Sequence, residues 1–496
     1  AWADAAESVM TRLLARRPMK EVRPLLKEAD ELLTSLGATE LAQRSRFLLI
    51  GFNQRMEGFA KALAAALKGG ATGALQRLEA ALELVVDHAL AAHEPARVED
   101  VEMAARLARW LASESEHPSR PAASLADAAT AYRRRGGYVD WARAQVWEGD
   151  TVAALGKSYS TVWQAVSSAR EDENRRFAEL LANWIKTGSH DQSVIRVEHL
   201  IERVIAPLAK RHPMLLVVID GMGMAVFREL QRDLVGRGWV EIDSAEDSQR
   251  LPVIAALPTV TEVSRTSLLC GALTAGNASD ERAGFSKHPA LVAAGSRSKP
   301  PILFHKADLA GDGTAGVASN VVGAITGDKQ RVVGVVINAV DDHLAKGDQI
   351  RVDWTVRRIK PLDELLAAAS DAGRAVVVVS DHGHVPEHKT TGRGEESAER
   401  WREAVGSPKD DEVLLSGPRV MLGNGHRIIA PWSERVRYSA KKNGYHGGAS
   451  PQEVVIPLGI FTPAGVAIEG WVEANSETPD WWEPEIEEIV QTVKPA

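Results

Sequence analysis

An aspartate and a histidine, Asp381 and His382, follow the apolar run Ala375–Val379 after a single serine. Four consecutive valines are typical of a strand buried on both faces, as in a parallel sheet. Residues directly after such a strand lie at the carboxyl edge of the sheet, where open α/β folds place their sites. A carboxylate and an imidazole are ligands that divalent metal ions accept. The sequence therefore predicts a pair of metal ligands at this edge.

Two other apolar runs also lead into acidic residues. Met214–Ile219 is followed by Asp220, and the run 332–336 leads through Asn338 to the Asp-Asp-His cluster at 341–343. An Asp-Gly turn after a strand is common in α/β proteins, and an acidic cluster also fits a solvent-facing loop. Because the carboxyl ends of parallel strands meet at one edge, both segments are candidates for the same site.

A hydroxyl-rich segment, 258–265, leads into an apolar helical run. The N–H groups at a helix N-terminus bind anions, and a hydroxyl beside a metal ion can ionise and attack phosphorus or sulfur. The hydroxyls of Thr259, Thr261 and Ser264 are the candidates for this chemistry. The alternative is that Thr261 or Ser264 only caps the helix.

His446 is the last candidate, in the glycine-flanked segment 444–448. The glycines imply that backbone packs closely around the ring, although a loop histidine with satisfied hydrogen bonds fits the same pattern. The signal lies in the ensemble of three strand ends, one hydroxyl-rich helix start and one histidine. Two metal sites with oxygen and nitrogen ligands, about 4 Å apart, would use such a set.

The apolar pattern also predicts the elements that position these residues. Residues 1 to about 210 are rich in Ala, Leu, Arg and Glu, and show helical spacing at Phe177, Leu181 and Trp184. They predict an all-α domain, 1–210. Beyond them, strands alternate with helical stretches, which indicates an α/β domain, 211–465, with a mostly parallel sheet flanked by helices.

Three stretches depart from this alternation. The Gly-, Ala- and Ser-rich stretch 275–300 predicts a long connection, and 388–442 predicts an insertion beside the site with a hairpin around 423–425. The segment 466–496 is predicted to be an acidic C-terminal tail that packs back on the body or docks a partner.

Composition limits the class of protein. The 496 residues carry a net charge of -8, so no global basic field recruits nucleic acid. A single cysteine, Cys270, excludes an internal disulfide framework and fits a cytoplasmic protein. No apolar run reaches transmembrane length, so no membrane contact is expected. The chain begins at Ala1 in helical sequence without a methionine, and we expect it to be a piece of a longer protein.

The order of these motifs over residues 213 to 465 resembles the alkaline phosphatase superfamily. Within it, the motifs are similar to those of the PglZ family, a component of phage growth limitation and BREX phage-defence systems. The most specific segments are Val-Val-Ile-Asp220-Gly, Pro-Thr-Val-Thr261-Glu-Val-Ser-Arg, Ser-Asp381-His382-Gly-His and Gly-Tyr-His446-Gly-Gly. The fold that the resemblance implies is an alkaline phosphatase-like α/β core.

The resemblance also implies a role for each matching residue. Asp220, Asp381 and His382 would hold one metal ion together with Thr261, and Thr261 would be the nucleophile. His446 and the acidic cluster would hold a second metal ion. The implied cofactors are two divalent ions, zinc first, with manganese or magnesium as alternatives.

The acidic cluster departs from the superfamily pattern, which has Asp, three residues and then His. Asp341 fits that pattern, but the histidine position is occupied by Ala345. Either His343 or Asp342 substitutes for the missing ligand, or the second site is incomplete.

The implied activity is phosphoester hydrolysis through a phosphothreonine intermediate, by a phosphodiesterase or phosphatase acting on a nucleotide or nucleic-acid phosphate. Arg265 would steady the transferred group, or form a structural ion pair. The alternative function is a phosphatase-like scaffold with little or no catalysis that binds other phage-defence proteins, such as a DNA methyltransferase. A phosphomutase or sulfatase of the same superfamily is a third possibility.

Overall fold

A computed structural model describes residues 2–69, 73–117, 120–187, 192–246, 250–295, 298–311, 316–346, 352–394 and 399–484. By packing, the chain divides into two compact units. The first comprises Ala1–Arg120, Ala142–Ala169 and Thr478–Ala496, and the second Pro121–Trp141 and Arg170–Glu477. The predicted domain limits at 210 and 465 stay a prediction. Parts of the predicted connection (296–297), insertion (395–398) and tail (485–496) lie outside the described residues.

The helical N-terminal region is confirmed. Its α-helices are α1 (Trp2–Arg16), α2 (Met19–Ser35), α3 (Leu49–Leu67), α4 (Ala74–Val86), α5 (Pro95–Glu116), α6 (Leu125–Ala131), α7 (Gly137–Val146), α8 (Ala153–Thr187) and α9 (Ala206–Arg211). Within the described ranges, no helix has both the length and the apolar character needed to cross a membrane.

Helix α5 organises part of the first unit. Its apolar residues are buried, and Arg109 donates hydrogen bonds to the carbonyls of Trp481 and Trp482, at 2.8 and 2.7 Å. The guanidinium of Arg106 lies 4.4 Å from the ring centroid of Trp482. Trp481 and Trp482, within the predicted acidic tail, therefore pack back on a helix of their own unit.

The second unit is a mixed α/β domain. Its later helices are α10 (Met224–Gly236), α11 (Thr261–Cys270), α12 (Ala278–Lys287), α13 (Pro289–Ala294), α14 (Lys306–Leu309), α15 (Ser319–Thr326), α16 (Ala339–Lys346), α17 (Leu362–Asp371) and α18 (Pro451–Val454). Its strands are β1 (Ile195–Arg196), β2 (Met214–Ile219), β3 (Trp239–Ser244), β4 (Val253–Ile254), β5 (Ile302–Phe304), β6 (Val332–Ile337), β7 (Ala375–Val379), β8 (Val385–Pro386), β9 (Thr391–Gly392), β10 (Arg402–Glu403), β11 (Glu412–Ser416), β12 (Arg427–Pro431), β13 (Val436–Arg437), β14 (Gly444–Tyr445), β15 (Val455–Ile456), β16 (Leu458–Pro463) and β17 (Trp471–Glu473).

The central sheet has seven strands in the order β17-β3-β16-β7-β2-β6-β5. The pairs among β7, β2, β6 and β5 are parallel, whereas those among β7, β16, β3 and β17 are antiparallel. The sheet is therefore mixed, which corrects the prediction of a mostly parallel sheet. Continuous apolar runs report burial on both faces, but they do not report strand direction.

The register of the parallel strands carries the candidate residues to one edge. Ile219 pairs with Ile337, and Val218 pairs with Val379, so β2, β6 and β7 end at the same level. Alternate side chains of these strands enter two separate apolar layers, one on each face of the sheet. This double burial explains the runs of valine and fixes where the polar residues must begin.

The predicted connection at 275–300 is wrong in its described part, because α12 and α13 occupy most of it. Asn277 is the N-cap of α12, and its own backbone N–H donates a hydrogen bond to the Asp280 carboxylate. A segment rich in Gly and Ala did not suggest this reciprocal cap. Phe285 and Leu291 are buried in the apolar layer and hold both helices in place.

The predicted hairpin in the insertion is confirmed. Strands β11 and β12 pair antiparallel, with Ser416 opposite Arg427, and β10 joins the other side of β12. Buried Glu412 ties this small sheet together. Its oxygens accept hydrogen bonds from Arg402 at 2.7 Å and from Arg393 and Tyr438 at 2.9 Å each.

We predict that Glu412→Gln lowers the free energy of unfolding by about 3 kcal/mol at pH 7, because the arginines around it lose the buried negative charge that they pair with. Burial alone would raise the pKa of Glu412, but hydrogen bonds from Arg402 and the Lys409 N–H outweigh burial and lower it to about 2. The carboxylate therefore stabilises the fold fully above its ordinary pKa of 4.5, and this contribution is lost as the pH falls toward 2.

Urea unfolding of both proteins between pH 7 and pH 2.5 measures the effect. The unfolding free energies of the two proteins should converge at the acid end. Glu403→Gln, an exposed neighbour, is the control and should change stability by less than about 0.5 kcal/mol. A Glu412→Gln protein as stable as wild type at pH 7 would contradict the assignment.

Candidate metal centre

Three candidate ligands meet at the carboxyl edge of the sheet. Asp220 follows β2, and Asp381 and His382 follow β7. One ligand atom from each lies within 4.8 Å of the other two, and all three side chains are buried. Two carboxylates and an imidazole at this spacing fit the ligand set of a divalent cation.

One oxygen of Asp381 has no hydrogen-bond partner among the described residues. Its Oδ1 accepts hydrogen bonds from the N–H of Gly221 at 3.1 Å and from the hydroxyl of Ser380 at 3.4 Å. Its Oδ2 is buried and, within the part of the chain that the structure describes, accepts no hydrogen bond. Burial raises the pKa of this carboxyl. A buried carboxylate oxygen without a partner is costly, and a cation at this point would satisfy it. The residues therefore fit a bound metal ion.

His382 presents the correct nitrogen to such an ion. Its Nδ1 lies 3.0 Å from the carbonyl of Gly383 and can donate to it, which leaves Nε2 as an acceptor. Nε2 lies 3.7 Å from Asp220 Oδ1 and 3.6 Å from Asp381 Oδ2. Burial, with help from the neighbouring His446, lowers the pKa of His382 to about 4, so the imidazole is neutral as a ligand must be.

Asp220 is surrounded by donors. Its Oδ2 accepts hydrogen bonds from Arg265 at 2.5 Å and from the Asn338 amide at 2.6 Å. Burial raises its pKa, the charge of Asp381 raises it further, and Arg265 opposes both; the pKa is about 7. Two carboxylates buried side by side are thus only partly compensated by protein groups.

Thr261 lies at the start of α11, with its hydroxyl aimed at these ligands. Its Oγ1 is 3.2 Å from Asp220 Oδ1 and 3.2 Å from His382 Nε2. The capping alternative does not hold, because the N-cap residue is Val260 and its side chain makes no cap. Ser264 does not cap either; its hydroxyl donates to the Asp381 carbonyl at 2.6 Å and so ties the helix to β7.

Arg265 forms ion pairs in this arrangement. Besides Asp220, it contacts Glu281 Oε1 at 3.0 Å, and Glu281 Oε2 lies 2.6 Å from His305 Nε2. The guanidinium therefore pairs with a carboxylate on each side. Its predicted contact with a transferred group stays a prediction. The arrangement fixes the orientation of the Asp220 carboxylate.

A second group of residues lies beside the first. The ring of His446 stacks on that of His382, with centroids 4.4 Å apart. Its Nε2 is 3.6 Å from Asp341 Oδ1 and 3.5 Å from Glu399 Oε2. Burial lowers the pKa of His446, but the neighbouring carboxylates of Asp341 and Glu399 outweigh burial and raise it to about 9.

The other two residues of the acidic cluster turn away from the site. Asp342 is exposed, and its carboxylate pairs with Lys306 at 2.6 Å. The ring of His343 packs edge-on against Trp354, with centroids 5.5 Å apart. Neither side chain makes a hydrogen bond or ion pair with the candidate ligands among the described residues. On a helix, successive residues point about 100° apart, so only Asp341 of the three faces the site.

Sequence reasoning missed two residues that contact the candidate ligands: Asn338, beside Asp220, and Glu399, beside His446. Asn338 follows a buried strand directly, and this position was a usable signal. Glu399 lies in a polar, charged part of the insertion where nothing in the local pattern marks it. His384, close to the site in sequence, holds the turn instead, since its Nδ1 lies 2.8 Å from the Gly221 carbonyl.

The sheet edge and its ligands define an α/β domain with a candidate metal centre. The family model for the BREX system PglZ alkaline phosphatase-like domain matches residues 200–461, more than half of the chain. The chain therefore belongs to the PglZ family.

Two solved structures align with the chain at low identity. Murine ectonucleotide pyrophosphatase / phosphodiesterase 5 is 11% identical, with a TM-score of 0.32; the alignment covers 51% of this chain and 88% of that one. An inactive form of the same murine protein in complex with AMP is 9% identical, with a TM-score of 0.30 and the same coverage. No curated protein matches the chain.

We predict that zinc stabilises the wild-type protein by about 2.7 kcal/mol at a free concentration of 100 times its dissociation constant. Asp381→Asn should lose most of this gain, because a neutral amide is a poor ligand. In the metal-free protein the same change should not lower stability, since it removes one of two adjacent buried charges.

Thermal unfolding with and without zinc checks both statements. Asp342→Asn is the matched control, because this exposed neighbour of Asp341 pairs with Lys306, and it should keep the full zinc effect. If Asp381→Asn gains as much from zinc as wild type, Asp381 is not a ligand.

Proposed function

We propose that this PglZ-family chain is a metal-dependent phosphoester hydrolase, a phosphodiesterase or phosphatase, with Thr261 as its nucleophile. The observation that carries the proposal is the position of the Thr261 hydroxyl. It lies 3.2 Å from both Asp220 Oδ1 and His382 Nε2, at the start of a helix. A hydroxyl in contact with two basic atoms has two acceptors for its proton.

In the proposed reaction, Thr261 Oγ1 attacks the phosphorus in line with the leaving group. The bond from phosphorus to Oγ1 forms as the bond to the leaving oxygen breaks, and the hydroxyl proton passes to a neighbouring acceptor. Water then cleaves the phosphothreonine ester and regenerates the hydroxyl. The free N–H groups of the first turn of α11 favour the negative charge that develops there.

The candidate ligands would hold two divalent ions. Asp220, Asp381 and His382 would hold one, and Asp341 and His446 would contribute to the other; His343 is left out because its ring contacts Trp354. When bound, such ions lower the pKa of the attacking hydroxyl and offset charge on the phosphoryl oxygens. Zinc suits this mixture of nitrogen and oxygen ligands, and manganese or magnesium are the alternatives.

Membership of the PglZ family supports a place in phage defence. We propose a nucleotide or nucleic-acid phosphate as substrate, other defence proteins such as a DNA methyltransferase as partners, and the cytoplasm as location. With a net charge of -8, any nucleic-acid contact would be local to the site.

We predict that Thr261→Ala lowers kcat for bis-p-nitrophenyl phosphate or p-nitrophenyl phosphate at least about 10³-fold, because the nucleophile is removed. Thr261→Ser should keep measurable activity, since it keeps the hydroxyl. Thr274→Ala, outside the cluster, is the control and should match wild type.

The same assay separates the scaffold alternative. If wild type and Thr261→Ala behave identically with zinc, manganese and magnesium, the hydrolase proposal fails and the scaffold remains. Assays with both esters also decide between diesterase and monoesterase activity.

A further inference from the structure

A cavity lies at the edge of the central sheet opposite to the candidate metal centre. Pro213, Arg331 and Arg374 line it, and each of them directly precedes a parallel strand, β2, β6 or β7. The candidate ligands follow the other ends of β2 and β7, so a strand length of about 20 Å separates the two places. The cavity has a volume of about 680 Å³, which is in the range of small-molecule sites.

The charged side chains around this cavity are mostly cations. Five cations and one carboxylate line it, which gives a net charge of +4. They are Lys210, Lys299, Lys329, Arg331, Arg374 and Asp328. Because the whole chain carries −8, all its other residues together carry −12. A basic cavity on an otherwise acidic chain attracts a small anion, whereas a long polyanion would also meet the acidic remainder.

The two arginines are used by the protein itself. Buried Arg374 donates hydrogen bonds to the carbonyls of Ile325 and Gly327, at 2.5 and 2.8 Å, where α15 ends. Arg331 donates to the carbonyl of Ala209, in α9, at 2.5 Å. Burial lowers the pKa of Arg374, and the charge of Arg331 lowers it further. The arginines therefore hold the ends of two helices and add positive charge to the cavity.

The helix ends do not cancel the charge of the cavity. Four helices, α9, α13, α15 and α17, have their C-terminal ends beside it. Each C-terminus carries about half a negative charge, so the four together offset about two of the net positive charges. The remaining positive charge corresponds to the lysines.

The three lysines come from three separate segments. Lys210 is in the last turn of α9, Lys299 precedes β5 and Lys329 precedes β6. All three are exposed, and within the described ranges their ammonium groups form no hydrogen bond or ion pair. A ligand that contacts all three must carry several negative charges. The described lining includes no aromatic ring on which a base would stack.

We propose that this cavity binds an oligophosphate, an anion with two or more linked phosphates, either free or carried by a nucleotide. Lysine ammonium groups bind phosphate as point charges, and linked phosphates present charges to several of them at once. The phosphates, and not a base, are the part that the cavity recognises. The site is separate from the candidate metal centre, and the inference does not rest on the proposed function.

Calorimetric titration of the metal-free full chain with inorganic tripolyphosphate tests the proposal. Wild type should bind one equivalent. Lys299→Gln/Lys329→Gln should weaken binding about 100-fold, on the basis of about tenfold for each charged contact. Lys61→Gln/Lys68→Gln removes the same charge from two exposed lysines of the first unit and should bind like wild type. Because all four lysines are exposed, both variants should keep the unfolding temperature of wild type without ligand.

Other ligands in the same titration assign the source of the phosphates. Equal affinity for tripolyphosphate and ATP would assign the phosphate chain alone, whereas tighter binding of ATP would assign a nucleotide as its carrier. Orthophosphate should bind at least about tenfold more weakly, because it reaches fewer ammonium groups.

Four results would overturn the proposal. They are no saturable binding by wild type, equal affinity of wild type and Lys299→Gln/Lys329→Gln, equal affinity for orthophosphate and tripolyphosphate, and tighter binding of a single-stranded DNA oligonucleotide than of tripolyphosphate. Each is measured without metal and without hydrolysis. The comparison of wild type with Thr261→Ala therefore decides the proposed function separately.

Discussion

The burial of two carboxylates side by side is the constraint on which the rest of the structure depends. Asp220 and Asp381 lie at adjacent strand ends, both nearly inaccessible to solvent. Charges in such a place are costly unless they are paired or hold a cation. Arg265 and Asn338 donate hydrogen bonds to Asp220, and the N–H of Gly221 donates to one oxygen of Asp381. The other oxygen of Asp381 accepts no hydrogen bond from the residues that the structure describes. Such an arrangement does not stabilise a fold that relies only on its own contacts.

The sequence predicted the parts of this arrangement that are local. Runs such as Met214–Ile219 and Ala375–Val379 are strands with the predicted bounds, because burial on both faces leaves no polar residue inside them. The positions of Asp220 and Asp381 follow from where those runs end. Strand direction is not local, and neither is the partner of β7; the antiparallel half of the sheet was therefore missed.

The second group of candidate residues shows why spacing alone could not complete the site. By residue type alone, each of Asp341, Asp342 and His343 is a possible ligand. The helix directs their side chains to different surroundings. Glu399 is the reverse case, since its own neighbourhood in the sequence is polar and unremarkable. Its place depends on the buried Arg400 next to it and on the glycine after His446, and both become visible only in the folded chain.

The two groups of candidate residues also differ in how rigidly they are built. Asp220, Asp381 and His382 all come from the ends of buried parallel strands, so their positions are set by the core itself. Asp341 comes from a helix, Glu399 from the insertion and His446 from a glycine-rich loop, and these meet without a shared strand. Side chains on helices and strands are placed more precisely than side chains on loops. The first group is therefore positioned by the core, whereas the second depends on contacts between the insertion and the loop at His446.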